Sequence, residues 1–485
     1  MLFNSIDFVV FLPLVLLAFW LVERISYKAG NAWLLFASAF FYGWWDWRYL
    51  GLVFLSGAID YFASIQIEGS TVPAKRKLFL FLSIITNLGI LGFFKYYDFF
   101  VTSFCDAFTL LGSPIEPYTL GIILPVGISF YTFQSMSYTI DVYRGELNAS
   151  RQPLEFGAYL LFFPQLVAGP IERATQFIPQ FRRQRKFDLT SAIDGTRQML
   201  WGLFKKVVIA DQCAPIVERA YADPGHEWAI GLIVATVLFA VQIYCDFSGY
   251  SDIAIGCARL FGFSLMRNFA YPYFSRDIAE FWRRWHISLS TWFRDYLYIP
   301  LGGSRGSNWF RVRNTFVVFL VSGFWNGANY TFIMWGAIHA LLFLPLLLSG
   351  RNRIHTNVVA AAKWYPDLKE LGAMLLTFGF TCFAWIFFRA SDLQNAWLVI
   401  IGMFKGLLEH PGQLLEFSSY ILSIPTTSFI VIMFVVEWMQ REQQHGLARI
   451  EIVLRTPYRW AAYYALIMMI LFNSGEEQTF IYFQF

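Results

Sequence analysis

Long apolar stretches separated by short polar segments run along the whole chain. A helix that crosses a bilayer needs roughly 20 mostly apolar residues, and the pattern predicts an all-α, polytopic membrane protein with about 11 to 13 membrane-embedded helices. Several of the stretches are short or rich in Gly and Pro, so we expect re-entrant or interfacial helices among them. The stretches are 6–22, 31–46, 49–66, 77–98, 118–140, 153–168, 191–210, 227–245, 312–327, 331–349, 371–389, 419–438 and 459–473.

The segments between the stretches are too short for an independent soluble domain. We therefore expect residues 1–485 to form a single integral-membrane domain. Met1–Asp7 has no basic residues and no small-residue cleavage site precedes Glu23, so the first stretch is predicted to be a membrane helix rather than a signal peptide. No inverted repeat of the transporter kind is visible.

The composition excludes a soluble enzyme, a disordered chain and a nucleic-acid binder. Hydrophobic residues make up 57% of the chain and charged residues 14%, whereas soluble domains carry about 25% charged residues. The mean hydropathy is +0.49. Aromatic residues reach 20%, which is typical of proteins that pack against lipid and anchor at the membrane interface.

The distribution of charge says more than the net charge of +4. Four basic clusters, 74–77, 182–186, 205–206 and 351–353, are predicted to be cytoplasmic, because basic loops tend to stay on that side. The alternative is that some of these cations attract the phosphates of a cytoplasmic donor. The five cysteines form no CxxC pair and are predicted to be small buried hydrophobes, and no metal-site spacing occurs.

Three stretches break the simple helical pattern: 124–130, 163–170 and 245–252 place Pro, Gly or polar residues inside apolar runs. Irregular backbone at membrane depth is tolerated only where protein covers it or where it lines a cavity. The three together indicate an interior cavity, and the alternative is that each is a structural kink.

The segment 270–303 is too polar to span a membrane and too aromatic for a free loop. It predicts an amphipathic helix at the interface, with Glu280 paired to Arg283 and Arg284 at i+3 and i+4. An interfacial anchor with snorkelling arginines would explain these residues, but it would leave His286 without a role.

Two of the six histidines, His286 and His339, have apolar or aromatic surroundings, and an ionisable group inside a membrane is a functional candidate. Histidine also suits general acid–base chemistry near neutral pH. The alternative is a core histidine with satisfied hydrogen bonds. Asn326, at the end of an apolar run, is expected near the membrane interior, where its amide needs partners. The remaining histidines are predicted to be solvated: His226, His355, His410 and His445.

Five ordered motifs carry a resemblance over nearly the whole chain, with a motif core at about 120–345. The chain resembles the membrane-bound O-acyltransferase (MBOAT) family, and within it the bacterial members that O-acetylate alginate and other exopolysaccharides. The motifs are LPVGISFYTFQSMSYTIDVYRG at 124–145, FFPQLVAGPIER at 162–173, YCDFSGYSDIAIG at 244–256, FWRRWHISLSTWFRDYLYIPLGG at 281–303 and FWNGANYTFIMWGAIHA at 324–340.

The resemblance implies a ring of helices around a central tunnel, in the inner membrane of a bacterium. It implies acetyl-CoA as the acyl donor, reaching the tunnel from the cytoplasm, with no bound cofactor or metal. The partners it implies are membrane lipid and a periplasmic acetyltransferase or polysaccharide-modifying protein, and no nucleic acid. It also implies a catalytic pair, which maps onto His286 and onto position 326.

The chain departs from the family pattern at position 326, where Asn replaces the catalytic histidine. An amide does not titrate near neutral pH and cannot act as a general base, whose help is worth roughly 10²–10⁴ in rate. We therefore expect an O-acetyltransferase that works poorly. Three explanations stay open: a deliberate substitution that traps substrate in an inactive form, a natural catalytically dead scaffold, or another histidine, His286 or His339, in the role of base.

Two further groups of residues are weaker candidates. Arginines near the catalytic motif are candidate contacts for the donor phosphates, although pairing with Glu280 and Asp295 would explain them too. Polar and aromatic residues around the predicted breaks are candidate tunnel-lining residues. The arginines are Arg283, Arg284 and Arg294, and the tunnel residues are Gln242, Tyr244, Asp246, Tyr250, Trp325 and His339. The sequence does not identify the polymer that is acetylated, which is alginate, peptidoglycan, cellulose or another cell-envelope polymer.

Overall fold

The computed structural model describes residues 1–167, 169–361, 363–413, 420–475, 478 and 480–481. Over these residues the chain is helical and contains no β-strand, which confirms the all-α prediction. It divides into two compact units. The first consists of Met1–Ile193 and Cys257–Met266, and the second of Asp194–Gly256 and Arg267–Phe485.

The first unit is built from apolar helices that begin and end at short polar turns. Ser5 caps the first of them, its Oγ accepting a hydrogen bond from the Phe8 backbone N–H at 3.3 Å. The helices are α1 (Ile6–Glu23), α2 (Tyr27–Asp46), α3 (Leu50–Glu68), α4 (Pro73–Leu91), α5 (Tyr97–Leu110), α6 (Ile128–Arg144) and α7 (Pro153–Leu161), with single turns at Phe163–Leu166 and Ala174–Phe177.

A polar core joins α3, α4 and α6 inside this unit. Asp60 on α3 is fully buried and accepts hydrogen bonds from the hydroxyls of Ser83 and Ser135. The Asn87 amide donates to the same carboxyl at 2.8 Å. Each polar group buried at membrane depth needs such a partner, since no water reaches it.

The second unit holds the motif-rich part of the chain. Long helices in it alternate with short ones, and two π-helical segments interrupt the pattern at Phe204–Ala210 and Arg294–Tyr298. The helices that lie wholly or mostly in it are α8 (Leu189–Leu203), α9 (Asp211–Ala222), α10 (Ala229–Leu260), α11 (Ile278–Arg284), α12 (Ile287–Phe293), α13 (Asn308–Asn326), α14 (Tyr330–Leu348), α15 (Leu368–Arg389), α16 (Leu393–Glu409), α17 (Thr427–Met439) and α18 (Thr456–Asn473), with one further turn at Ile450–Val453.

Six helical segments of the described chain are long and apolar enough to cross a membrane. Two of them, Tyr27–Glu68 and Pro73–Leu110, contain 42 and 38 residues, about twice what one crossing needs. The chain is therefore a multi-pass membrane protein. That 11 to 13 helices are embedded stays a prediction. The segments are Ile6–Glu23, Tyr27–Glu68, Pro73–Leu110, Ala229–Leu260, Tyr330–Leu348 and Leu368–Arg389.

The three predicted breaks have different outcomes. The first is irregular as predicted, because α6 begins only at Ile128, after Gly127 with φ 73°. The second, 163–170, follows the end of α7 and contains the single turn Phe163–Leu166. Its residue 168, like residue 419 of the stretch 419–438, lies outside the described residues. The third prediction, 245–252, is wrong, since α10 runs through it without interruption.

Close packing explains why the polar residues of 245–252 do not break α10. A Cβ on Gly249 would lie 2.7 Å from the carbonyl oxygen of Gly202 on α8, so the two helices touch through their backbones. Small residues allow this approach between membrane helices. The neighbouring polar side chains of α10 are buried inside the unit, where they have ionic and hydrogen-bonding partners.

Candidate active site

The segment 270–303 is not one amphipathic helix, and that prediction is wrong. It forms α11, α12 and the π-helical segment Arg294–Tyr298, with Trp285 and His286 between the two helices. Two backbone hydrogen bonds hold the break open: Ala270 N–H donates to the Arg284 carbonyl, and Ile287 N–H to the Asn268 carbonyl, both at 2.9 Å. These bonds draw the chain on either side of His286 away from helical geometry.

His286 occupies this break in a left-handed conformation, with φ 41° and ψ 58°. Its side chain is buried, with aromatic rings around it: Phe247 at 4.7 Å, Trp325 at 6.1 Å and Phe269 at 6.3 Å between ring centroids. Burial lowers the pKa of His286 to about 3. The imidazole is therefore neutral at physiological pH, with one of its two ring nitrogens unprotonated.

Asn326 is the last residue of α13 and is buried. Its amide Nδ2 donates to the Ser322 carbonyl one turn earlier, at 2.8 Å. Gly327 follows in extended conformation, and a Cβ there would lie 2.1 Å from the Phe332 ring. Because Trp325 contacts His286, the structure places the end of α13 beside the break between α11 and α12.

His339 lies on α14 within the same set of aromatic rings. The Trp282 indole N–H donates to its Nδ1 at 3.3 Å, and the rings of Trp335 and Phe281 pack on it at 4.9 and 6.1 Å. Phe281 also stacks on Trp285, the residue before His286, at 5.5 Å. A cluster of aromatic rings thus links the two histidines that the sequence singled out.

A cavity of about 210 Å³ opens within the second unit beside these residues. Trp282, which binds His339, lines it, and so does Ser322, which binds Asn326. Most of its wall is apolar or aromatic, and the charged side chains among the described residues that line it are Arg294 and Arg353. The arrangement suits a ligand with an uncharged body and an anionic end.

The three candidate arginines have different surroundings. Arg284 pairs with Glu280 at 2.8 Å, as the i+4 spacing predicted. Arg283 instead donates to the backbone carbonyls of Asn352 and His355, both at 2.7 Å. Arg294 is exposed, pairs with Asp295 at 2.7 Å and lines the cavity.

Glu280 also binds Arg276, which the sequence interpretation missed. Its carboxylate is buried between Arg276 and Arg284, at 3.0 and 2.8 Å. Burial alone would raise the pKa of Glu280, but the two guanidinium groups hold it below its usual value. The arginines around α11 therefore have structural partners, and Arg294 is the one of the three that reaches the cavity.

The candidate tunnel residues of α10 belong mainly to a buried ionic network. The Tyr244 hydroxyl donates to Glu437 at 2.8 Å, and Asp246 pairs with Lys206 at 2.8 Å. Gln242 is half-buried on the same helix. Tyr250 is buried against the ring of Phe480, 4.9 Å away.

Three residues predicted from charge patterns or loop position are buried. Lys205 and Lys206 are both buried in ion pairs with carboxylates, and their place on the cytoplasmic side stays a prediction. His445 is not solvated: it is buried, and its Nε2 lies 3.0 Å from Asp194.

Comparison with known proteins agrees with these motifs. The model of the membrane-bound O-acyltransferase family matches residues 146–361. A probable alginate O-acetylase of Azotobacter vinelandii is 41% identical over 412 residues, which cover 84% of this chain and 78% of that protein. A peptidoglycan O-acetyltransferase of Helicobacter pylori is 36% identical, with 83% of this chain and 80% of that protein covered.

A more distant similarity extends to a teichoic acid D-alanyltransferase of Bacillus subtilis, which is 26% identical over 281 residues. This match covers 56% of the chain and 70% of that protein. The relatives thus share transfer of an acyl group, by their names, while the molecules that receive it differ.

Proposed function

The chain belongs to the membrane-bound O-acyltransferase family and is an acyltransferase, and we propose that it moves acetyl groups from cytoplasmic acetyl-CoA to a polymer of the cell envelope. The relatives at 41% and 36% identity are named for O-acetylation of alginate and of peptidoglycan. An exopolysaccharide of the alginate type is the acceptor we favour. Peptidoglycan, cellulose or another envelope polymer is the alternative.

One observation carries this proposal: a largely apolar cavity with two arginines lies beside His339 and Asn326. A pocket for a whole drug-sized ligand measures roughly 300–1,000 Å³, and this cavity of about 210 Å³ is smaller. It suits a segment of the pantetheine arm. Arg294 and Arg353 would bind phosphate groups of the same donor through charge-assisted hydrogen bonds.

We further propose that Asn326 lowers the rate of transfer. In the reaction the acceptor hydroxyl must lose a proton while its oxygen attacks the thioester carbonyl. The neutral imidazole of His286, which lies 6.1 Å from the Trp325 ring, would take this proton, whereas the Asn326 amide cannot. Because His286 remains and the second member of the family's catalytic pair is replaced by Asn326, turnover is slow. Binding of the donor does not need this base and is retained.

The test is to replace Asn326→His and measure release of CoA thiol from acetyl-CoA together with acetylation of the polymer. We expect a gain of roughly 10²–10⁴ in rate, the usual contribution of a general base. Asn326→Gln is the matched control, because it enlarges the side chain without adding a base. A folded Asn326→His protein with no gain over the Gln variant would contradict the proposal.

In this proposal a partner protein delivers the acetyl group to the polymer. We propose that the chain lies in the bacterial inner membrane and that a periplasmic acetyltransferase or polysaccharide-modifying protein accepts the group there. Co-purification of the chain with such a protein, encoded beside it, would identify both the partner and the polymer. Loss of both polymer acetylation and sustained CoA release when the partner is removed, with acetyl-CoA binding unchanged, is the expected result.

A catalytically dead scaffold is the second candidate, and the Asn at position 326 is what favours it. The two functions differ in donor binding. We expect an acetyltransferase to bind acetyl-CoA with the Asn326 side chain in place, and isothermal titration in detergent measures this directly. A folded chain that binds no acetyl-CoA is instead a scaffold that has lost its site.

A further inference from the structure

His286 is held in a backbone conformation that a residue with a side chain rarely adopts, at φ 41° and ψ 58°. Its surroundings must therefore maintain it. The Ile287 N–H donates to the Asn268 carbonyl at 2.9 Å, so the residue after His286 is tied to the backbone of Asn268. Asn268 precedes α11 by ten residues and is fully buried.

The side chain of Asn268 contacts the imidazole directly. Its Oδ1 lies 3.0 Å from His286 Nδ1, and the Ser288 hydroxyl donates to the same oxygen at 3.0 Å. Its Nδ2 donates to the Ser251 hydroxyl on α10 at 3.2 Å. Asn268 thus connects α10 to the break that carries His286.

The orientation of the Asn268 side-chain amide follows from its contact with a backbone N–H, which can donate a hydrogen bond but cannot accept one. The Ser288 backbone N–H, which can only donate, points at the same side-chain atom at 3.4 Å, so that atom is the oxygen. Since Oδ1 can only accept, the imidazole nitrogen facing it carries a proton. The neutral ring then bears its hydrogen on Nδ1 and its lone pair on Nε2.

We propose that Asn268 is a positioning residue that locks His286 in the Nδ1–H tautomer and thereby makes Nε2 the base of the acyl transfer. This inference rests on the proposed function. Nε2 takes the proton of the acceptor hydroxyl as the oxygen bonds to the thioester carbonyl carbon. When the C–S bond breaks, the imidazole passes this proton to the CoA thiolate. The products are the acetyl ester and the CoA thiol, and the neutral imidazole is regenerated.

The aromatic rings around the site strengthen this arrangement. Phe247 packs edge-on against the imidazole at 4.7 Å, and Trp325 approaches it at 6.1 Å. A buried hydrogen bond is stronger in such low-dielectric surroundings than in water. The wrong tautomer would place a nitrogen lone pair against the lone pairs of Oδ1, which is unfavourable for the same reason.

The tautomer can be measured without any turnover. Full-length protein labelled with ¹⁵N-histidine and reconstituted in lipid vesicles gives separate solid-state NMR signals for protonated and unprotonated ring nitrogens, and His286→Gln assigns the His286 pair. We expect protonated Nδ1 and unprotonated Nε2. A wild-type His286 with the proton on Nε2 overturns the inference, whatever the activity of the protein.

Two substitutions of Asn268 separate positioning from mere folding. Asn268→Asp keeps an acceptor at Oδ1 and should retain the tautomer, whereas Asn268→Leu removes it and should give protonated Nε2 or a mixture. We expect the Leu variant to lose roughly 10²–10⁴ in kcat with little change in the KM for acetyl-CoA. An unchanged tautomer in a folded Leu variant overturns the inference.

Asn314 provides the matched control. It is another fully buried asparagine of the second unit, and its amide binds the backbone carbonyls of Leu301 and Gly303. Asn314→Leu should leave the His286 signals unchanged. If Asn268→Leu does not fold, the wild-type and Asp spectra still decide the tautomer. The expected tautomer in a protein with no transferase activity would count against the proposed function alone.

Discussion

The ammonium nitrogen of Lys205 lies 2.6 Å from a carboxylate oxygen of Asp252, and both side chains are buried. The Ser248 hydroxyl accepts a further hydrogen bond from Lys205 at 2.9 Å. Next to it, Lys206 lies 2.8 Å from both Asp211 and Asp246. Two adjacent lysines of one π-helical segment therefore neutralise carboxylates that the unit has enclosed.

Removing the Lys205 charge should destabilise the protein strongly. Lys205→Met leaves the Asp252 carboxylate buried without its cation, and loss of one partner of a buried pair costs about 3–5 kcal/mol. Asp252→Asn added to Lys205→Met should recover part of this loss. Lys405, exposed and 3.7 Å from Glu409, is the control, and Lys405→Met should change little. Thermal unfolding in detergent measures all three, and equal effects at Lys205 and Lys405 would contradict the argument.

The contact between α13 and α14 should not tolerate a methyl group. A Cβ on Gly336 would lie 2.3 Å from the Phe319 carbonyl, and one on Gly323 would lie 2.2 Å from the Phe332 carbonyl. Gly336→Ala must therefore push the helices apart and lower the unfolding temperature. Gly379→Ala on α15 meets nothing within 4 Å and should be neutral or slightly stabilising. A Gly336→Ala protein as stable as Gly379→Ala would show that the helices can separate freely.

Arg294 and Arg353 should lower the KM for an acyl donor that carries phosphate groups, and should not affect the KM for a donor without them. Arg353→Ala and Arg294→Ala are expected to raise the KM for acetyl-CoA, more so at low ionic strength, because salt screens exposed charges. The KM of both variants for S-acetyl-N-acetylcysteamine, a thioester without phosphate, should equal that of the wild type. Arg48, exposed and paired with a near neighbour as Arg294 is, serves as the control. Equal changes with both donors would argue against phosphate binding.

Glu172 should make stability depend on pH. Burial raises its pKa from the usual 4.5 to about 8, and its Oε1 accepts a hydrogen bond from the Met266 N–H at 2.6 Å. Between pH 4.5 and 8 the unfolded chain releases this proton while the folded chain keeps it, so stability falls as pH rises.

Glu172→Gln keeps a side-chain oxygen that can accept the hydrogen bond from the Met266 N–H, but its amide does not titrate. The unfolding temperature of the wild type should therefore fall relative to this variant from pH 5 to pH 8. Glu116→Gln, at an exposed position, should follow the wild type at each pH. Parallel curves for the wild type and Glu172→Gln would show that Glu172 is ionised in the folded protein.

Helix positions in the long apolar stretches were predictable from sequence. The stretch 331–349 corresponds to α14 at Tyr330–Leu348, and 371–389 to α15 at Leu368–Arg389. Asn329 follows the earlier apolar run 312–327 and caps α14 by accepting a hydrogen bond from the Thr331 N–H at 3.0 Å. These features depend on local composition and capping, which neighbouring residues already decide.

Predictions that depended on contacts between distant residues failed. The polar run 245–252 stays helical because Gly249 packs on Gly202, and no local pattern records that contact. Lys205 and Lys206 are buried because carboxylates on α9 and α10 reach them. A basic pair in the sequence has the same appearance whether it faces water or an enclosed carboxylate.

Hydropathy along the chain is enough to predict an all-helical membrane protein, because a membrane helix satisfies its own backbone hydrogen bonds. The sequence motifs are enough to select His286, Asn326 and His339 as candidate residues. The left-handed conformation of His286, and the contact of its Nδ1 with Asn268, could not be read from either. That geometry comes from hydrogen bonds between segments that are separated along the chain, and so it exists only once the helices have packed.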